Sequence, residues 1–392
     1  MTPAARLSAA IEVLDQYLAG TAAEKALTNW GRRSRFAGSK DRAAVRDIVF
    51  DCLRNRGAYA RLGLSGRGLV LCHAAQNTPR ADLDSLFSGE GHAPAPLSDA
   101  ENVGLFQTRF TASKEMRYNM PDWLTAELVA SVGDDAPAIA AALTERAAVY
   151  LRVNLSRGSV DQAITSLAAD GISAEPHDLA EAALEVIDNP RKVSGSTAYL
   201  SGLVELQDAA SQAICAALPP AQRMLDYCAG GGGKVLAYGD RNDGALFAHD
   251  ANPQRLRDLE PRAKRAGLKV RVLSTAACRT ASPFDLVLCD VPCSGSGAWR
   301  RSPEGKWSLT RGAFEALLET QQDILREAAQ LVAPDGVLAF ATCSLFRREN
   351  EDQIVRFCAE NDGWHCSFER RYSPLEGGDG FYIAYLTQKP RP

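Results

Sequence analysis

Two short stretches of this 392-residue chain set a thiol just beyond an apolar run. Phe284-Asp-Leu-Val-Leu-Cys289 leads into Asp290-Val291-Pro292-Cys293, and Val337-Leu-Ala-Phe-Ala341 leads into Thr342-Cys343-Ser344. A cysteine thiolate can split a difficult substitution into two easier steps by bonding to the substrate. Added to carbon 6 of a cytosine ring, it breaks the aromatic system and makes carbon 5 carbanion-like, able to take an electrophilic methyl group. Negative charge then builds at ring nitrogen 3, where a donor must meet it. Asp290 can do so when protonated or sharing a proton, a state that partial burial favours. A second thiol beside the first can assist the elimination that frees the product. Position and residue type leave open which of Cys293 and Cys343 attacks. Cys289 lies within its run and reads as core, and Cys228 reads as a structural thiol at a strand end.

The electrophile needs a carrier. Met224-Leu-Asp-Tyr-Cys228 runs straight into Ala229-Gly230-Gly231-Gly232-Gly233-Lys234, and a second apolar run ends in His249-Asp250, 18 residues after Gly232. A glycine turn at a strand end lets backbone approach a ligand closely. An acid about 20 residues on, at the end of the next strand, commonly holds ribose hydroxyls. Together they point to a nucleoside-containing cofactor and leave NAD and S-adenosylmethionine as alternatives.

These residues need elements to hold them. Strands are expected at 223–228, 245–249, 269–273, 284–289, 337–341 and 381–386, with helices at 253–266, 313–332 and 349–360 between them. Strand–helix alternation with apolar strands predicts a mostly parallel, Rossmann-like sheet covered on both faces, with its ligands at the carboxyl ends of the strands. Upstream, Val149–Asn154 and Leu184–Ile187 read as strands and Trp123–Val132 and Val160–Ala169 as helices, a small α/β unit. Residues 5–60 read as helical. Leu7, Ile11, Leu14 and Leu18 recur at helical spacing, as do Val45, Ile48, Val49 and Leu53 after Ser39 as a possible N-cap. Few elements are expected over 61–115. The divisions that follow are 1–116, 117–205 and 206–392.

Composition narrows the class. No apolar run approaches the roughly 20 residues of a membrane helix, and Met1–Ala10 lacks the order of a signal peptide. The ten cysteines include no CxxC pair and no cysteine–histidine cluster with zinc spacing. A cytoplasmic, monomeric protein with reduced thiols and no metal is expected. Net charge is −4, but Lys25–Arg56 carries nine basic and three acidic residues, 9 − 3 = +6. Such a local patch can meet phosphate.

The combined motifs resemble the Sun-type RNA cytosine-5 methyltransferases, and more closely the bacterial type that modifies small-subunit ribosomal RNA. The likeness rests on Leu206-Gln-Asp-Ala-Ala-Ser-Gln212, Cys228-Ala-Gly-Gly-Gly-Gly-Lys234, and Asp290-Val-Pro-Cys-Ser-Gly-Ser-Gly297 with Arg300-Arg-Ser-Pro-Glu-Gly-Lys-Trp307. It extends to Thr342-Cys-Ser344 with Glu349-Asn350 and, in the smaller unit, Leu151-Arg-Val-Asn154. The resemblance implies a seven-stranded methyltransferase sheet with S-adenosylmethionine as cofactor. It makes Cys343 the nucleophile and Cys293 the thiol that aids release. Cys228, Ala229, Gly230, Gly231, Gly232, Gly233, Lys234, Asp250 and Asp290 become the cofactor contacts. Residues 1–60 resemble an all-helical NusB-like RNA-binding domain, so Arg32, Arg33, Arg35, Lys40 and Arg42 are expected to touch RNA, together with Arg300 and Arg301. Two departures stand out. Gly230-Gly231 replaces the usual Ala-Pro, and Ser274-Thr275-Ala276-Ala277 replaces an acid after the third strand. The second motivates an alternative, an RNA-binding assembly factor that has lost catalysis. An NAD enzyme would explain the glycine loop but neither cysteine, and no histidine sits in a partner motif for a cysteine hydrolase.

Overall fold

The computed structural model describes residues 1–106 and 117–389; part of the segment expected to hold few elements, 107–116, lies outside the described residues, as do 390–392. The chain packs as two units, Met1–Arg146 with Trp299–Ser308, and Ala147–Ala298 with Leu309–Pro392. These cut the chain differently from the three successive sequence segments. The helices at Asp122–Val132 and Ala136–Ala142 pack with the first unit, and so does a ten-residue excursion out of the second.

The first unit is helical. Helix α1 (Pro3–Leu18) opens with Thr2, whose hydroxyl accepts from Ala5 N, and with Pro3 at its first turn, where the missing N–H costs nothing. Helices α2 (Ala23–Arg33) and α3 (Ser39–Arg54) follow. Leu7 and Leu14 of the expected α1 stripe and Val45, Val49 and Leu53 of the α3 stripe are buried in one core, with Ile11, Leu18 and Ile48 only partly buried against it, while Val13, outside the expected stripe, is fully buried. Gly38, not Ser39, takes the N-cap of α3. The region expected to be sparse holds helices at Gly66–Asn77, Arg80–Leu86 and Asp99–Phe106. The first of these buries Leu69, Val70, Leu71 and Cys72 in succession. A helix sunk in the core has no one-sided apolar pattern to read.

The second unit holds two sheets. Strands β1 (Val149–Val153), β2 (Ser173–Pro176), β3 (Ala183–Asp188) and β4 (Val204–Leu206) pair antiparallel in the order β2-β3-β1-β4. The helix Val160–Ala169, begun by a reciprocal Ser159–Gln162 cap, packs Ala163 and Leu167 against Leu151, Leu184 and Val204. The larger sheet comprises β5 (Arg223–Asp226), β6 (Ala245–Ala248), β7 (Val270–Val272), β8 (Phe284–Asp290), β9 (Val332–Thr342), β10 (Trp364–Tyr372) and β11 (Phe381–Gln388). Its order is β10-β11-β9-β8-β5-β6-β7, with β11 alone running against its neighbours. The chain steps outward from β5 to β7, then returns to β8 on the other side. That reversal between β5 and β8 opens a crevice at their carboxyl ends.

Candidate active site

Both cysteine segments leave the sheet side by side. Asp290 pairs with Ala341 at the last register of β8 and β9, and Val291 N bonds Ala341 O at 3.0 Å. Just past the two strand ends stand Cys293, three residues after Asp290, and Cys343, two after Ala341, their sulfurs 3.4 Å apart and both half-buried. The hydrogen bond with Cys343 pushes the Cys293 thiol well above its ordinary pKa, with burial and the charge of Glu349 adding to it. Cys293 therefore keeps its proton.

Glu349 holds the two segments together, and sequence reasoning noted it without giving it a role. Fully buried, it accepts from Ser294 N at 2.7 Å, Ser294 Oγ at 2.5 Å, Ser344 Oγ at 2.5 Å and Gln321 Nε2 at 3.1 Å. Burial pushes its pKa up, and these bonds to its ionised form pull the other way. Asn350 adds a second tie, accepting from Thr342 Oγ1 at 2.5 Å and donating to Ser344 O at 2.9 Å. Gly297 closes the first loop onto the sheet. A Cβ there would lie 2.0 Å from Gly380 O, so no larger residue fits.

Lys234, the last residue of the glycine stretch, reaches Asp290. Its Nζ donates to Asp290 Oδ2 at 2.6 Å and lies 5.1 Å from the centre of the Phe381 ring. Burial alone would lower the ammonium's pKa, but Asp290, helped by the thiols of Cys215 and Cys343, outweighs it and raises the pKa. The contact is a charge-assisted hydrogen bond.

The glycine loop is built to be approached. Gly230 and Gly232 have φ of +49° and +82°, and a Cβ on Gly232 would meet Leu259 at 2.2 Å. Asp250 accepts from Gly230 N at 3.0 Å and Asn252 N at 2.9 Å, and Arg255 lies 3.3 Å away. Its carboxylate braces the loop, with lone pairs left for a ribose. Beneath the loop, Asp226 is buried at the end of β5, and its carboxylate oxygens reach no side-chain partner among the described residues. Burial, then the charge of Asp290, lifts its pKa to about 7. A buried carboxyl without a side-chain partner, under a cradle too close for side chains, fits a polar nucleoside ligand. Arg152 of β1, which the sequence reading left without a role, fixes the loop from the smaller sheet. Its guanidinium donates to Asp240 at 2.8 Å, to Gly233 O at 3.3 Å and to Gln207. Cys228 is half-buried, and burial raises its thiol pKa. Where an acid was missed after β7, Ser274 caps the helix Thr275–Ala281, and Thr275 bonds His249 at 2.9 Å.

The residues expected to meet RNA divide. Arg32, Arg33, Arg35, Lys40 and Arg42 are exposed, on or between α2 and α3, although Arg33 pairs with Glu12 at 2.6 Å. Arg301 is exposed as well. Arg300 is a correction, because it is 7% exposed and its carbonyl accepts from Arg54 Nε at 3.1 Å. Its segment is packed into the helical unit, which removes its guanidinium from any open surface. Among the described residues no cluster of His, Cys, Asp and Glu could hold a metal, and no helix is long and apolar enough to cross a membrane.

Residues 213–387 match the family model described as 16S rRNA methyltransferase RsmB/F, and 120–194 match the ferredoxin-like domain of RsmF/B-like methyltransferases. Ribosomal RNA small subunit methyltransferase B of Xylella fastidiosa strain Temecula1 is 35% identical, over 89% of this chain and 90% of its own. Its counterpart in Xanthomonas campestris is 34% identical over 81% and 79%. Among solved structures, PH0851 superposes with a TM-score of 0.76 over 99% of both chains at 22% identity. A methyltransferase homologue from Pyrococcus horikoshii gives 0.60 over 70% of this chain and 98% of its own at 23% identity. These two show the fold alone. With relatives of this identity and coverage, the chain belongs to the RsmB/F family of 16S rRNA methyltransferases, whose methyl donor is S-adenosylmethionine.

Proposed function

We propose that the chain methylates carbon 5 of a cytosine in small-subunit ribosomal RNA through a covalent bond between Cys343 Sγ and carbon 6. The observation that carries this reading is the pair of sulfurs 3.4 Å apart beside the Lys234–Asp290 ion pair. S-adenosylmethionine, when bound, supplies an electrophilic methyl group. The loop Cys228–Lys234 and Asp250 would hold it. Cys343 adds as thiolate to carbon 6, and the electron pair of the carbon 5–carbon 6 double bond becomes available to form the new bond at carbon 5. Lys234, steadied by Asp290, meets the charge that grows at nitrogen 3. Solvent water takes the proton from carbon 5, the electron pair of that carbon–hydrogen bond reforms the double bond, and the bond to sulfur breaks with its pair returning to Cys343. Cys293, held protonated, offers its thiol hydrogen to the departing sulfur. The target cytosine must be unpaired or swung out of its stack to reach the crevice.

The test uses methyl-labelled cofactor and unmodified small-subunit ribosomal RNA. Cys343→Ala should form no 5-methylcytosine, and Cys293→Ala should accumulate a denaturant-stable protein–RNA adduct. Equal methylation by wild type and Cys343→Ala refutes the nucleophile, and an active Cys293→Ala without adduct removes the release role. The absence of an acid at Ser274–Ala277 favours a second reading, an RNA-binding assembly factor without catalysis. Calorimetry decides between them, since no binding of S-adenosylmethionine at millimolar concentration would support the second.

A further inference from the structure

The helical unit carries an exposed aromatic ring that folding does not use. Phe36 is 77% exposed, the most exposed of the large hydrophobic side chains of the described residues. Burying a phenylalanine stabilises a fold, and this position forgoes that stabilisation. The ring is nonetheless firmly placed. Phe36 sits at the tip of a turn between α2 and α3, closed by Ala37 N donating to Ser34 O at 3.0 Å. Ser34 N donates back to Trp30 O at 2.8 Å, and Arg42 Nε donates to Ala37 O at 2.9 Å. Ser34 and Ala37, at the two ends of the turn, are buried. Only Arg35 and Phe36 stand out from it.

The surroundings specify a partner. Arg32, Arg35 and Lys40 lie within nine residues of chain, all exposed, with no acidic partner among the described residues. Beside the ring lies a hollow of about 520 Å³, lined in part by Trp30, Ser34, Phe36, Glu12 and His92. An exposed flat ring with three exposed cations within four residues of it along the chain suits single-stranded nucleic acid, where each nucleotide offers a phosphate and a π-face. A protein partner fits less well, because the cores of protein interfaces are depleted of charge and a single ring makes no contiguous apolar patch.

We propose that Phe36 is a stacking platform for an unpaired base of RNA, with Arg32, Arg35 and Lys40 holding the flanking phosphates. The proposal rests on the reading of the chain as an RNA methyltransferase and adds Phe36, as a base-stacking residue, to the cations of the helical unit already expected to meet RNA. Base stacking on one ring is worth about 1–3 kcal/mol, so losing it should weaken binding by roughly tenfold or more. Phosphate contacts, by contrast, set the salt dependence.

The experiment measures binding of the full-length protein to a fluorescein-labelled single-stranded RNA of mixed sequence, by anisotropy at several salt concentrations. Phe36→Ala should bind about tenfold more weakly with an unchanged salt slope, and Phe36→Trp should bind as wild type does. Replacing Arg32, Arg35 and Lys40 together by alanine should flatten the slope by about two units, at roughly 0.7 per phosphate. Because Phe36 is exposed, its variants should melt with wild type. Methyl transfer is followed in parallel. If wild type methylates RNA while Phe36→Ala binds as tightly as wild type, the platform is refuted and the catalytic reading stands. Wild type that neither binds nor methylates RNA overturns both.

Discussion

Lys234 and Lys306 are both buried, one beneath the cofactor loop and one in the helical unit, and burial penalises the ammonium of each. Their pKa values move in opposite directions. Lys234 has Asp290 at 2.6 Å, and the carboxylate reverses the effect of burial. Lys306 donates to the carbonyl of Arg54 at 2.8 Å, and burial, with the charge of Arg54 added, lowers its pKa to about 7. A carbonyl is satisfied by a neutral amine as well as by an ammonium, whereas a carboxylate pays off only against a charge. The comparison separates a lysine kept for its charge from one kept for its hydrogen bond. Lys306 sits in the excursion Trp299–Ser308, where Trp307 Nε1 also donates to Leu53 O at 2.7 Å and Glu304 accepts from Ala23 N at 3.1 Å. Those contacts seat the excursion on the ends of α2 and α3.

The sharpest way to break this contrast is to replace both lysines by methionine. Lys234→Met should lower methyl transfer by about a thousandfold, the scale of losing a preorganised charge at a developing anion. Lys306→Met should leave the rate within about threefold of wild type. Similar losses from the two, measured as initial rates on ribosomal RNA, would mean that the charge on Lys234 is not what the site uses.

Asp226 sharpens the comparison from the other sign of charge. Its folded pKa is raised to about 7, from 3.8, by burial. Between those values the folded state holds a proton that the unfolded state has released, so stability falls as pH rises from about 4 to 7. The slope limit is about 1.4 kcal/mol per pH unit. Asp226→Asn should flatten that fall, as read from urea unfolding over this range. Curves that stay parallel for the variant and wild type would show that the carboxyl is not buried as described.

Much of the site could be read from the chain because its parts are local. The glycine run, Asp290 to Cys293 and Thr342 to Ser344 each lie within a few residues of a strand end, and parallel sheets gather such ends on one edge. What escaped is long-range. Ser294 and Glu349 are 55 residues apart, and Arg152 and Asp240 are 88 apart. No spacing rule joins them; only packing does. Strand β10 also escaped, because this edge strand is mostly exposed and reads as Trp-His-Cys-Ser-Phe-Glu-Arg-Arg-Tyr, without alternation. Arg300 misled for the opposite reason. The resemblance put both Arg300 and Arg301 against RNA, yet the excursion that carries them buries the first and exposes the second.

Lys306 makes the smallest but cleanest prediction. Its folded pKa, about 7, lies below the unfolded value of 10.5. From pH 7 upward the unfolded chain binds a proton there that the folded chain has given up. Its contribution to stability is therefore full only above pH 10.5 and is lost as pH falls toward 7. Cysteines complicate the upper part of that range, because buried thiols titrate in the unfolded state near pH 8.5 and pull the other way. The useful window is thus pH 7 to 8.5. Across it, wild type should gain stability over Lys306→Met at up to about 1.4 kcal/mol per pH unit. At pH 7 itself the variant should differ little, since a methionine of similar length loses the bond to Arg54 O but no longer has an amine to desolvate. Denaturant midpoints at closely spaced pH values measure this directly. If the two proteins keep a constant difference from pH 7 to 8.5, Lys306 holds its proton throughout, and some group other than the Arg54 carbonyl must be stabilising the charge.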